Sequence, residues 1–224
     1  PEFDLHAALA PAREVGGELY DFVLLDDDHL FLSVGDVSDK GVPAALLMTV
    51  TMTLMKRTAQ LPGITPAEIL RQTNEELSAE NEKLMFVTMF CGILNIRTGE
   101  LVYSNAGHNP PLIQRADGQV TWVKMPAGLV LGVMPGAVFG NATVTLAPGD
   151  ALVAYTDGVT EAMSPRRELF SEARLQKTVA DLSGRNVADL VRGIMSAVTT
   201  HAAGAAQSDD ITVLVLRRNG SSRP

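Results

Sequence analysis

The chain has 224 residues, 46% hydrophobic and 20% charged, enough for a buried core in one large domain or two small ones. Its net charge of −8 argues against a nucleic-acid or anionic-membrane surface, which needs clustered Lys and Arg. Cys91 is the only cysteine, so an intrachain disulfide and a cysteine-based zinc site are excluded, and a cytoplasmic domain fits.

No apolar run reaches the roughly 18 residues of a membrane span, and no signal peptide is expected. The opening "PEFDLHAALAPA" lacks a methionine and reads as the start of a domain cut from a longer protein. Residues 19–25 and 29–37 predict two strands joined by the acidic turn 26–28, a hairpin. Residues 42–60 predict a helix with Pro43 in its first turn and an apolar stripe of Ala44, Leu47, Met48, Thr51, Leu54 and Met55. Ser38 and Asp39 stand where a cap for it is expected. Residues 65–80 predict a second helix, with Thr65 as N-cap, Pro66 at the first position and Glu68 at capping-box spacing. A second hairpin is expected over 85–96 and 99–107, turning at Arg97-Thr98-Gly99. Short strands follow near 111–114, 119–124, 142–146 and 150–156, then helices over 172–182 and 186–203, a last strand over 209–218 and a frayed tail over 219–224. Local hairpins favour antiparallel sheets with helices segregated outside them, in a single domain over 1–218.

The acidic residues fall unevenly on this pattern. Glu18 follows Gly16-Gly17 and precedes the first predicted strand, Asp36 ends the second, Asp157 ends the strand "DALVAYTDG", and Asp209 and Asp210 open the last. Asp is common where strands give way to turns, and that reading competes at each position taken alone. Strand ends gathered at one edge would crowd these carboxylates, which repel one another unless cations intervene. An oxygen-only donor set points to a hard ion such as Mg²⁺ or Mn²⁺.

Six blocks carry a resemblance: "VGGELYD" (15–21), "GDVSDKGVPAAL" (35–46), "MFVTMF" (85–90), "NAGHNPP" (105–111), "YTDGVTEA" (155–162) and "DDITVLVL" (209–216). In this order they resemble the bacterial stress-response and sporulation branch of the PPM (PP2C-type) metal-dependent Ser/Thr protein phosphatases. The resemblance implies an α+β fold, a sandwich of two antiparallel β-sheets flanked by α-helices, with two divalent cations (Mn²⁺ or Mg²⁺) at one edge. It implies that Asp36 bridges both cations, the Val37 carbonyl adds an oxygen, Glu18 binds one metal, and Asp157 and Asp209 bind the other. Asp36, Asp157 and Asp209 are thereby the catalytic carboxylates; Asp21, Asp210, Ser38 and Arg13 rank as supporting. A metal-activated water would attack phosphorus directly, with no covalent phosphoenzyme. Two departures stand out. Glu18 occupies a position where most of the branch has Asp, and Ser38 a position where the eukaryotic branch has a histidine acid.

The implied substrate is phosphoserine or phosphothreonine on a STAS-type anti-sigma factor antagonist, within partner-switching stress signalling. An upstream sensor or receiver domain, membrane attachment of the longer protein, and a homodimer through helices 42–60 and 65–80 are further expectations. That helix pair leaves directly from the Asp36 turn and resembles the branch's regulatory element. A second function class is a non-catalytic phosphatase-fold module that binds a phosphoprotein; Glu18 favours it, and retention of Asp36, Asp157 and Asp209 opposes it. A cyclic-dinucleotide synthase is rejected: "GGEL" resembles its "GGEEF" signature, but the 15 residues before Gly16 leave no room for the elements that precede it. His108, between Gly107 and Asn109-Pro110-Pro111, is read as fixing a turn. Cys91 and the Met48, Met52, Met55 cluster are read as core.

Overall fold

The computed structural model describes residues 2–14, 16–79, 81 and 84–220. Among them are two five-stranded antiparallel sheets and five helices, the α+β class expected. The chain divides into two compact units.

One unit comprises Val15–His108 and Lys124–Thr145. It holds β2 (Leu19–Leu24), β3 (His29–Val37), α1 (Val42–Ala59), α2 (Pro66–Ala79), β4 (Val87–Asn95), β5 (Glu100–Ala106) and β8 (Ala142–Thr145), with sheet order β2-β3-β4-β5-β8. Asp26 tightens the first hairpin: its Oδ1 accepts the N–H groups of Asp28 and His29, each at 2.8 Å. Those bonds, with the His29 ring, hold its carboxyl below the usual range. The apolar stripe of α1 packs Ala44, Met48, Met52 and Met55 against Phe31, Val37, Met89 and Cys91 of the sheet. All three methionines of the expected cluster are therefore core. Helix α2 begins as expected, with the Glu68 N–H donating to Thr65 Oγ1 at 3.3 Å. The return half of the capping box is absent, because the Glu68 carboxylate binds Arg71 and Gln72 instead. Residue 80, the expected end of this helix, lies outside the described residues.

The other unit comprises Pro1–Glu14, Asn109–Val123 and Leu146–Pro224. It holds β1 (Phe3–Ala10), β6 (Leu112–Gln114), β7 (Val120–Trp122), β9 (Ala151–Tyr155), the single turn α3 (Asp157–Thr160), α4 (Ser171–Asp181), α5 (Val187–Ala202) and β10 (Ile211–Arg218). The sheet order is β1-β10-β9-β6-β7. Its core joins Val153, Tyr155, Val213 and Val215 to Leu175, Val179, Leu190 and Ile194 of the two long helices. Asn186 caps α5, its side chain accepting the Asp189 N–H at 2.8 Å. The expected tail beyond residue 220 lies outside the described residues.

Four findings correct the sequence reading. The opening residues form an edge strand, β1, in register with β10 from Phe3–Arg218 to Ala10–Ile211; its alanines are poor strand formers, which masked it. Asp157 starts the turn α3 instead of ending a strand, and β10 begins only at Ile211, after Asp209 and Asp210. The N-cap of α1 is Gly41, with no side-chain cap. Ser38 instead prolongs the β3–β4 ladder: its N–H donates to the Phe86 carbonyl, and its Oγ accepts the Phe86 N–H, both at 2.8 Å.

Candidate metal centre

In the first unit, register sets the acids side by side. Leu19 pairs with Gly35, so the next step outward brings Glu18 alongside Asp36. Glu18 is 3% exposed and Asp36 half-buried. On the other flank Asp36 pairs with Thr88, whose hydroxyl lies 2.9 Å from His108 Nδ1. His108 is pinned in turn by Asn105, which accepts its N–H and donates to its carbonyl, each at 3.2 Å. Gly107 turns the chain just before it, with φ 69°.

The backbone around these acids is tight. A Cβ on Gly17 would stand 3.3 Å from Ala44 Cβ, so glycine there lets Glu18 approach the start of α1. After Val37 the chain reverses through Asp39 at φ 82° and Gly41 at φ 84°, ψ −156°; the second is a conformation open essentially to glycine alone. The Lys40 N–H donates to Asp39 Oδ1 at 2.8 Å. Asp21 sits on the same strand as Leu19, but its Oδ2 meets Lys56 Nζ of α1 at 2.8 Å. It is thus an ion-pair partner of the helix.

In the second unit Asp157 and the Asp209-Asp210 turn lie at the neighbouring ends of β9 and β10. The Thr156 N–H donates to the Thr212 carbonyl at 3.1 Å, and the Thr212 N–H returns to Thr156 Oγ1 at 3.0 Å. A Cβ on Gly158 would fall 1.8 Å from the Asp210 carbonyl oxygen, so only glycine permits this approach. Asp210 is 6% exposed, Asp157 and Asp209 are half-buried, and Arg13 is exposed. Burial pushes the Tyr155 hydroxyl pKa well up, with the charges of Glu172 and Asp157 adding to it.

One unit therefore supplies two acids at strand ends, Glu18 and Asp36, and the other three, Asp157, Asp209 and Asp210. Among the described residues, no group of three or more His, Cys, Asp or Glu is preassembled to hold a metal ion. The side chains each unit offers, Glu18 and Asp36 in one and Asp157 and Asp209 in the other, are nonetheless oxygen donors of the kind a hard divalent cation takes, with no thiolate or imidazole among them. Cys91 is fully buried, and its thiol pKa is pushed far up by burial, which removes it as a nucleophile. Sequence reasoning missed Thr88 and Gly158. The glycine after Asp157 was the one signal within reach.

No helix among the described residues is long and apolar enough to cross a membrane. The chain is 34% identical to Protein IcfG of Synechocystis sp., over 97% of this chain and 38% of that protein. It is 29% identical to phosphoserine phosphatase RsbU of Bacillus subtilis, over 96% of this chain and 63% of that one. The chain thus spans less than two thirds of the length of either. Among solved structures, it matches the RsbU and RsbW domains of a Mycobacterium tuberculosis protein with a TM-score of 0.84 and 30% identity, over 99% of this chain and 61% of that one. RsbX, solved in complex with magnesium, shares the fold at 15% identity and a TM-score of 0.70, over 96% of this chain and 95% of that one. The family model for stage II sporulation protein E matches residues 26–219. The chain therefore belongs to the SpoIIE family and has its PP2C-like fold.

Proposed function

We propose that this chain is the catalytic domain of a metal-dependent protein phosphatase that hydrolyses phosphoserine or phosphothreonine on a regulatory protein. The observation that carries the reading is the pairing of acids at strand ends, Glu18 beside Asp36 in one unit and Asp157 beside the Asp209-Asp210 turn in the other. Glu18, Asp36 and the Val37 carbonyl, with Asp157 and Asp209, are the assigned ligands of two divalent cations. The RsbU relative, named a phosphoserine phosphatase, and the magnesium of RsbX support the assignment. When bound, such cations supply an activated water and offset charge on the phosphoryl oxygens.

The chain's own residues supply the rest. Asp36 and Glu18, set side by side by the β2–β3 register, would offer carboxylate oxygens to such a cation with little reorganisation. Ser38, at the position of the eukaryotic histidine, has its Oγ anchored by the Phe86 N–H, and we assign it to the turn and not to proton transfer. The substrate is a phosphorylated STAS-type anti-sigma factor antagonist, a reading favoured by the RsbU likeness and by a relative that carries RsbU and RsbW domains in one chain. Four residues separate Val37, the end of β3, from the start of helix α1. A partner or sensor domain acting on α1 and α2 is therefore placed to move Asp36 and Val37.

The test is release of phosphate from p-nitrophenyl phosphate and from phosphorylated STAS proteins with Mn²⁺ present. Turnover lost on adding chelator and in Asp36→Asn supports the reading. Binding of phosphoprotein with no turnover by the wild type sinks it in favour of a non-catalytic module.

A further inference from the structure

The last backbone pair of β1 and β10 is Ala10 with Ile211. Beyond it, side chains carry the connection on. Gln207 Nε2 donates to the Ala10 carbonyl at 2.8 Å and to the Asp209 carbonyl at 2.7 Å. Asp210 Oδ1 accepts the Ala12 N–H at 2.6 Å, a charge-assisted bond. Asp209 Oδ1 accepts the Asp210 N–H at 3.0 Å, which orients that carboxylate on its own turn. From the β9 side, Gly158 closes on the Asp210 carbonyl, leaving no space for a Cβ. The Asp209-Asp210 dipeptide is thus gripped by residues 10–12 and by the start of α3.

We propose that Gln207 and Asp210 are positioning residues that lock the turn carrying Asp209 onto the outgoing end of β1, so that the Asp209 carboxylate is held ready for a divalent cation. The inference rests on the metal-centre reading above. It gives Asp210 a role distinct from ligation. Ligation draws on carboxylate charge, whereas the bond from Ala12 needs only an acceptor oxygen, which an amide also offers. Gln207 works through two donors, and both are lost if its amide becomes an isosteric carboxylate. Groups that orient metal ligands typically contribute about 10–100-fold in metal affinity.

Two readouts on the 224-residue chain test this. Amide hydrogen exchange reports the clamp at Ala12, and Mn²⁺ titration calorimetry reports its consequence. Asp210→Ala and Gln207→Glu should weaken Mn²⁺ binding about tenfold or more, with native far-UV circular dichroism, while Asp210→Asn restores affinity to within about threefold of wild type. The Ala12 amide should lose protection in Asp210→Ala and keep it in Asp210→Asn. Equal losses of affinity in Asp210→Asn and Asp210→Ala overturn the proposal, because charge and not position then matters. Wild-type affinity in Asp210→Ala and Gln207→Glu overturns it too. A wild type that binds no Mn²⁺ refutes the functional reading itself, and the positioning role with it.

Discussion

Gly158→Ala is the sharpest perturbation of the metal-centre reading. The added Cβ would lie 1.8 Å from the Asp210 carbonyl oxygen and 2.9 Å from its carbon, where real contacts essentially never fall below 3.0 Å. The backbone must therefore yield by 1.2 Å, and the obstacle is main chain, not the tip of a side chain. Overpacking costs about 1–3 kcal/mol, and rigid backbone puts this case near the upper end. Replacing glycine by alanine in a helical turn recovers at most about 1 kcal/mol, so a net loss of about 2 kcal/mol is expected. The displaced atoms carry Asp157 on one side and Asp209-Asp210 on the other, so Mn²⁺ affinity should fall by about tenfold or more. Gly149→Ala is the control in the same unit. Its φ of 92° and a Cβ position 2.9 Å from Ala116 Cβ make it destabilising by about 1–2 kcal/mol, at the opposite end of β9. Urea denaturation with Mn²⁺ calorimetry on both variants separates the effects. If Gly158→Ala loses no more metal affinity than Gly149→Ala, the placement of Asp157 and Asp209 at a metal is refuted.

Three further outcomes follow from named contacts. Asn186→Ala removes the α5 cap and should cost about 1 kcal/mol in urea denaturation, with phosphatase activity unchanged. Cys91 should resist iodoacetamide in the folded chain and react fully once unfolded, since it is completely buried with its thiol pKa raised. The Glu68 carboxyl is held down from 4.5 to about 2, first by hydrogen bonds from Arg71 and then from Gln72. Its folded value lies below its unfolded one, so its contribution is present above pH 4.5 and fades as pH falls toward 2. The group is surface-exposed, so the effect is under about 0.5 kcal/mol; Glu68→Gln should flatten acid unfolding by that much and no more.

Most of the fold was legible because its elements carry local signals. The strands at 29–37 and 85–96 are apolar runs between turn residues, and α1, α2, α4 and α5 show helical periodicity or caps. The strand β1 was not legible, since an alanine-rich edge strand owes its conformation to a partner some 200 residues away and to no pattern of its own. The missing cap of α1 has a similar cause. Ser38 looked like a cap in sequence, but a better use of its hydroxyl lay on Phe86, 48 residues on. Of the site, the acids themselves could be picked out by their glycine-flanked strand ends. Their mutual placement could not, because it depends on register: Leu19 against Gly35, and Tyr155 against Val213. Asp21 shows the limit most clearly, since only the structure reveals that Lys56 claims it.

The central claim is that Glu18, Asp36, Asp157 and Asp209 hold divalent cations. Calorimetric titration of Mn²⁺ into the wild-type chain, Asp36→Asn and Asp209→Asn tests it most directly. The account predicts two ions bound per wild-type chain and loss of at least one in each variant, in parallel with loss of phosphate release. Binding of Mn²⁺ in both variants with wild-type affinity and stoichiometry would contradict it.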